Sequence, residues 1–141
     1  MYKRQALNSI KKNKLKTKIL GVTLLTSLDG KDSKKIYKER NTKKLVKKYT
    51  EIANNENIHG LVCSGDDLKI LAKYKKLIKI TPGVKMFARN DDQKRVTFAH
   101  NALQDGASFV VIGRELIENK KPLELLKKYG EQHKNKNLWT K

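Results

Sequence analysis

Four short segments, residues 19–26, 58–63, 77–81 and 108–112, are apolar on both alternations of an extended chain. A strand with apolar side chains on both sides has to be covered on both. That pattern belongs to buried parallel strands, whereas a hairpin sheet keeps one face wet. Between the segments the apolar spacing becomes helical. Leu45, Val46, Tyr49, Ile52 and Ala53 share one face, with lysines on the other. Asp66 and Asp67 can cap a helix carrying Leu68, Leu71 and Ala72. Thr97 can open a helix that presents Ala99, Ala102 and Leu103, with Gly106 to end it. Pro122 suits the first turn of a last helix with Leu123, Leu126 and Tyr129 inside, stopping near Gly130. Tyr2, Ala6, Leu7 and Ile10 predict one more helix at the start. The order is a helix followed by four βα units, which implies an α/β fold with parallel strands and right-handed crossovers. Four such units make either a small open sheet or half of an eight-stranded barrel, and periodicity alone does not choose.

The length of 141 residues suits one domain. Residues 1–130 form the expected domain, and 131–141 a tail rich in Lys and Asn. No apolar run approaches the roughly 18 residues that a membrane span needs. Met1-Tyr2-Lys3-Arg4 has no apolar stretch behind it like that of a signal peptide. Cys63 is the only cysteine, which excludes an internal disulfide and leads us to expect a reducing cytoplasm. The formal charge of +19 invites a nucleic-acid reading. Its make-up argues against one, with 28 Lys and only 5 Arg spread over every expected helix. Base readout and phosphate clamps favour Arg, and single-strand platforms favour aromatics. Abundant Lys, Asn and Ile are also what a gene rich in A and T encodes, so solvated helix faces account for the charge.

Polar and backbone-special residues collect where each expected strand ends. They read Thr26-Ser27-Leu28-Asp29, Cys63-Ser64-Gly65, Thr81-Pro82-Gly83-Val84-Lys85 and Gly113-Arg114. In parallel α/β folds this end carries the ligand. Taken together, five stretches resemble the orotidine 5′-phosphate decarboxylase family. They are Ile19-Leu20-Gly21-Val22-Thr23-Leu24-Leu25-Thr26-Ser27, His59-Gly60-Leu61-Val62-Cys63-Ser64, Ile80-Thr81-Pro82-Gly83-Val84, Asp92-Gln93-Lys94-Arg95-Val96 and Val110-Val111-Ile112-Gly113-Arg114. Their order is the family's order for strands five to eight of its barrel, from about Arg4 to Lys128. The resemblance therefore implies the C-terminal half of a TIM (β/α)8 barrel.

It also implies roles. Thr26 matches a residue on the pyrimidine or ribose side of the substrate, and Gln93 a glutamine whose amide reaches the phosphate. Gly113 matches a glycine offering its backbone N–H, and Arg114 the arginine that clamps the phosphate. A guanidinium offers paired donors to phosphate oxygens, and a following helix N-terminus adds aligned N–H groups. Lys85 stands where the family usually has arginine, so the charge is kept and the fork is lost. The implied ligand is orotidine 5′-phosphate or a UMP-like phosphate, and the family uses no cofactor.

Family catalysis comes from Asp-x-Lys-x-x-Asp on strands two and three, with a further aspartate from the dimer partner. That motif does not occur in this sequence. Asp29-Gly30-Lys31 begins like it, but Lys34 sits at the second aspartate position. No catalytic residue is therefore expected here. His59, His100 and His133 lack metal-ligand spacing, so no metal site is expected either. Cys63 fits a small buried hydrophobe. Asp91 and Asp92 suit capping, and Leu138-Trp139 either fold back or fray with the tail. The expected function is the phosphate-holding half of a decarboxylase of UMP biosynthesis, inactive alone or active only with a separate N-terminal half. The alternatives are a non-catalytic half-barrel that binds a phosphorylated ligand, and a basic nucleic-acid binder. Because four strands leave two open edges, the expected partner is a second copy or that N-terminal half. Val22, Leu24, Val62, Ile80, Val110 and Ile112 are expected at the surface it covers.

Overall fold

The structure, a computed structural model, describes residues 2–24, 30–87 and 97–133. Thr26, Asp29, Asp91, Asp92, Gln93, Leu138 and Trp139, singled out above, lie outside the described residues. Helix α1 (Tyr2–Lys12) precedes strand β1 (Leu20–Val22). Two helices follow, α2 (Gly30–Tyr37) and α3 (Thr42–Asn55), and then β2 (Gly60–Val62). A 3₁₀ turn, Gly65–Asp67, leads into the short α4 (Leu68–Leu71) and β3 (Ile78–Pro82). Helix α5 (Ala99–Gln104), β4 (Phe109–Val111), α6 (Arg114–Ile117) and α7 (Pro122–His133) complete the order.

The four strands form one parallel sheet in the order β1-β2-β3-β4. Parallel strands that neighbour one another in chain order take right-handed crossovers as a rule, which puts the connecting helices on one side. Burial follows that rule. Leu61, Lys79 and Thr81 point to the helix side and are buried with Cys63, Leu68, Leu71, Val46, Ala99 and Ala102. Lys79 is accommodated there because its ammonium reaches the Tyr74 carbonyl at 3.2 Å. Helix α3 presents Leu45, Val46 and Ala53 to this core, as its spacing predicts. Asn41 caps it, accepting the Lys44 N–H at 3.1 Å. Gly60 is required by strand packing, since a Cβ there would collide with the Ile78 carbonyl oxygen.

Among the described residues, nothing packs over the opposite face of the sheet. Register aligns Val22, Val62, Ile80 and Phe109 in one row across it. Val22, Phe109 and Val111 are 58%, 60% and 48% exposed. This corrects the expected face of the last strand, because Val110 and Ile112 pack toward the core instead. Leu24 also joins the core. A strand apolar on both alternations leaves its parity undefined by sequence, and pairing with β3 decides it. The last helix is corrected too. Leu123 and Leu126 are exposed, Leu125 and Tyr129 meet the core, and α7 runs past Gly130 to His133.

Candidate functional site

At the C-terminal end of β3, Gly83 takes φ 72°, a left-handed value that a side chain resists. The turn sends Val84 and Met86 into the core and leaves Lys85 half-buried between them. The Lys85 N–H donates to the Thr97 carbonyl at 3.1 Å, and its own carbonyl accepts the Ala99 N–H at 2.8 Å. The next two amides turn toward the neighbouring loop. Met86 N–H donates to one Glu115 carboxylate oxygen at 2.6 Å, and Phe87 N–H approaches the other at 3.4 Å. The Phe87 ring meets Tyr129 edge-on with centroids 5.7 Å apart, which ties this segment to α7 as well.

Beyond β4, Gly113 precedes α6, and its carbonyl accepts the Leu116 and Ile117 N–H groups at 3.0 and 3.1 Å. Helix α6 has only four residues, so the expected reinforcement from a helix dipole is small here. Among the described residues, a Cβ on Gly113 would meet nothing within 4 Å, so that side of the backbone is open. Arg114 is exposed, with no hydrogen bond or ion pair from its guanidinium among the described residues.

These two loops enclose a cleft of about 470 Å³ that includes Lys85, Gly113 and Arg114. Three of the five residues singled out by sequence thus meet in one place, and Thr26 and Gln93 lie outside the described residues. Sequence reasoning missed two members of the lining, Glu115 and Glu118. Their only signal was an acidic residue directly after Arg114 and another one helical turn beyond it. Two cations and two carboxylates therefore share the cleft. The Glu115 charge is drawn toward the Met86 and Phe87 amides, so part of its repulsion for an anion is already screened.

Other candidates do not form a site. A second cleft, of about 440 Å³, lies where the strands begin and is lined by Arg4, Lys11, Glu56 and His59 among others. Its Arg4 is committed to Glu56 by paired bonds of 2.6 and 2.8 Å, and His59 Nδ1 accepts the Ile19 N–H at 2.9 Å. No group of three or more His, Cys, Asp or Glu residues able to hold a metal occurs among the described residues. Among the described residues, no helix is long and apolar enough to cross a membrane. Cys63 is fully buried, and burial pushes its thiol up to about 11 despite the Thr81 hydroxyl 4.0 Å away. At pH 8 its alkylation by iodoacetamide in the folded chain should be about a hundredfold slower than in urea, because thiolate is the reacting form. Equal rates in the two conditions would contradict this burial.

A four-stranded parallel α/β half-barrel, with a cation-bearing cleft at its strand C-termini, is the class that these observations define. The sequence profile of the Orotidine 5′-phosphate decarboxylase / HUMPS family matches residues 3–129, and the chain belongs to that family. It is 33% identical over 125 residues to orotidine 5′-phosphate decarboxylase of Coxiella burnetii, an alignment covering 85% of this chain and 53% of the relative. The chain thus spans about half the length of the curated relatives it matches. Among solved structures, an uncharacterized conserved protein from Geobacillus kaustophilus superimposes with a TM-score of 0.70 at 18% identity, over 92% of this chain and 57% of that one. Orotidine 5′-phosphate decarboxylase from Lactobacillus acidophilus gives 0.64 at 22% identity, over 82% and 48%. At these identities the structures speak for the fold, which is about half of a TIM barrel.

Proposed function

We propose that this chain is the phosphate-holding, C-terminal half of an orotidine 5′-phosphate decarboxylase barrel, acting in cytoplasmic UMP biosynthesis. Its ligand is orotidine 5′-phosphate or a UMP-like phosphate, held by Lys85, Arg114 and the Gly113 N–H, with Gln93 and Thr26 completing the contacts. The observation that carries the reading is the convergence of Lys85, Gly113 and Arg114, from separate loops, in one cleft at the strand C-termini. In parallel barrels the loops after the last strands are the customary phosphate site. The chain contains no Asp-x-Lys-x-x-Asp, so in this reading it supplies binding and not chemistry. A complementary N-terminal half-barrel would cover the open sheet face and bring the reacting groups.

The test is titration of the chain with uridine 5′-monophosphate, followed by amide NMR. Shifts should centre on Gly113, Arg114 and Lys85, with a dissociation constant on the order of millimolar because in this reading the chain supplies only half of the pocket wall. Arg114→Ala should abolish them, and uridine, which lacks the phosphate, should not produce them. Shifts that persist unchanged in Arg114→Ala would place the ligand elsewhere.

A further inference from the structure

The residue directly after the proposed phosphate arginine is a glutamate that lines the same cleft. For an anion site that is an odd choice, since a carboxylate there repels the ligand. Its hydrogen bonds supply the reason. Glu115 accepts the Met86 N–H at 2.6 Å and the Phe87 N–H at 3.4 Å, one on each oxygen. Those amides immediately follow Lys85, whose own backbone is already tied to Thr97 and Ala99. The first two residues of α6 thus divide two tasks, Arg114 on the side of the proposed ligand and Glu115 at the opposite wall.

We propose that Glu115 is a positioning residue that clamps the segment carrying Lys85 against the loop carrying Arg114, and so sets the width of the anion cleft. The proposal rests on the phosphate reading above but acts through geometry, not charge. The packing around the clamp supports it. Phe87 is held edge-on by Tyr129, and the Lys128 ammonium lies 5.6 Å from the centre of its ring, so the segment is fixed from α7 while Glu115 fixes it from α6. Burial, together with the Glu115 charge, raises the Tyr129 phenol above its ordinary value, which agrees with a carboxylate held close to that ring.

Charge and clamp make opposite forecasts, and this makes the idea testable. The substitution is Glu115→Gln, which keeps the side-chain volume, removes the charge and leaves one acceptor oxygen for two amides. If Glu115 mattered only as a negative charge, uridine 5′-monophosphate would bind Glu115→Gln more tightly. As a clamp, its loss should weaken binding about tenfold, the effect of losing one charge-assisted hydrogen bond. In a Lys85→Ala background the same substitution should change little, because the residue being positioned is gone. Tighter binding by Glu115→Gln, or equal losses in both backgrounds, overturns the proposal.

Hydrogen exchange of the ligand-free chain gives an independent reading. The Met86 and Phe87 amides should exchange at least about tenfold faster in Glu115→Gln, while Leu61 in β2 keeps its protection as a check on folding. Unchanged exchange at Met86 and Phe87 also overturns the clamp. If the clamp is seen by exchange but the wild-type chain binds no uridine 5′-monophosphate, the phosphate reading fails and the clamp stands.

Discussion

Orotidine 5′-phosphate given to the purified chain should lose carbon dioxide no faster than it does in buffer. This is the largest effect expected, since enzymes commonly accelerate their reactions by about 10⁶-fold or more. Binding energy at a phosphate accelerates a reaction only when it is coupled to groups complementary to the transition state. In the family that this chain resembles, those groups are the lysine and aspartates of Asp-x-Lys-x-x-Asp, and the sequence has no such array. Its nearest approach is Asp29-Gly30-Lys31, of which Gly30 and Lys31 lie in a helix rather than a strand. Lys31 and Lys34 both fall in α2, where Lys34 takes the place of a carboxylate. Two lysines one helical turn apart repel each other and cannot oppose a substrate carboxylate with negative charge. Release of carbon dioxide would be measured for the chain and for Arg114→Ala side by side. Turnover above the uncatalysed rate that disappears in Arg114→Ala would refute the assignment of this chain to binding alone.

How far the sequence reaches can be seen residue by residue. The parallel sheet was legible because its strands are apolar on both alternations, and because Leu45, Val46 and Ala53 repeat at helical spacing. The cleft was legible because Gly83, Gly113 and Arg114 sit where strands end. The same double-sided apolarity concealed which side of β4 faces the helices, since that depends on the pairing of Phe109 with Ile80. Helix α2 was missed for a different reason. Its fully buried residue is Ser33, while Ile36 and Tyr37 are exposed, so it carries little apolar signal. Glu115 was invisible because its role is a bond to backbone amides of a distant loop. Backbone donors leave no trace in side-chain patterns.

In solution the chain should not remain a monomer, and the reason is the open face of its sheet. Among the described residues, the two edge strands, β1 and β4, have no partner strand on their outer sides. On these edge strands Val22, Phe109 and Val111 are exposed, and between them lie the half-buried Val62 and Ile80 of β2 and β3. Exposed apolar area costs about 25 cal/mol for each Å², which a marginally stable domain tolerates poorly. The solved structures that match this fold are roughly twice as long, so a complementary half-barrel is the proposed natural cover. In its absence a second copy should take the place, with lysine-rich helices facing outward and inner faces together. Light scattering at modest salt should then report a dimer, and raising the salt should strengthen it by screening the +19 charge of each copy. Phe109→Asp should weaken association on the order of a hundredfold or more, since it removes a large apolar side chain and places a carboxylate at a dry interface. Ile112→Asp is a poor test, because Ile112 packs into the domain's own core and its change would unfold the chain. A monomer that melts cooperatively and is indifferent to Phe109→Asp would show that the sheet face needs no partner.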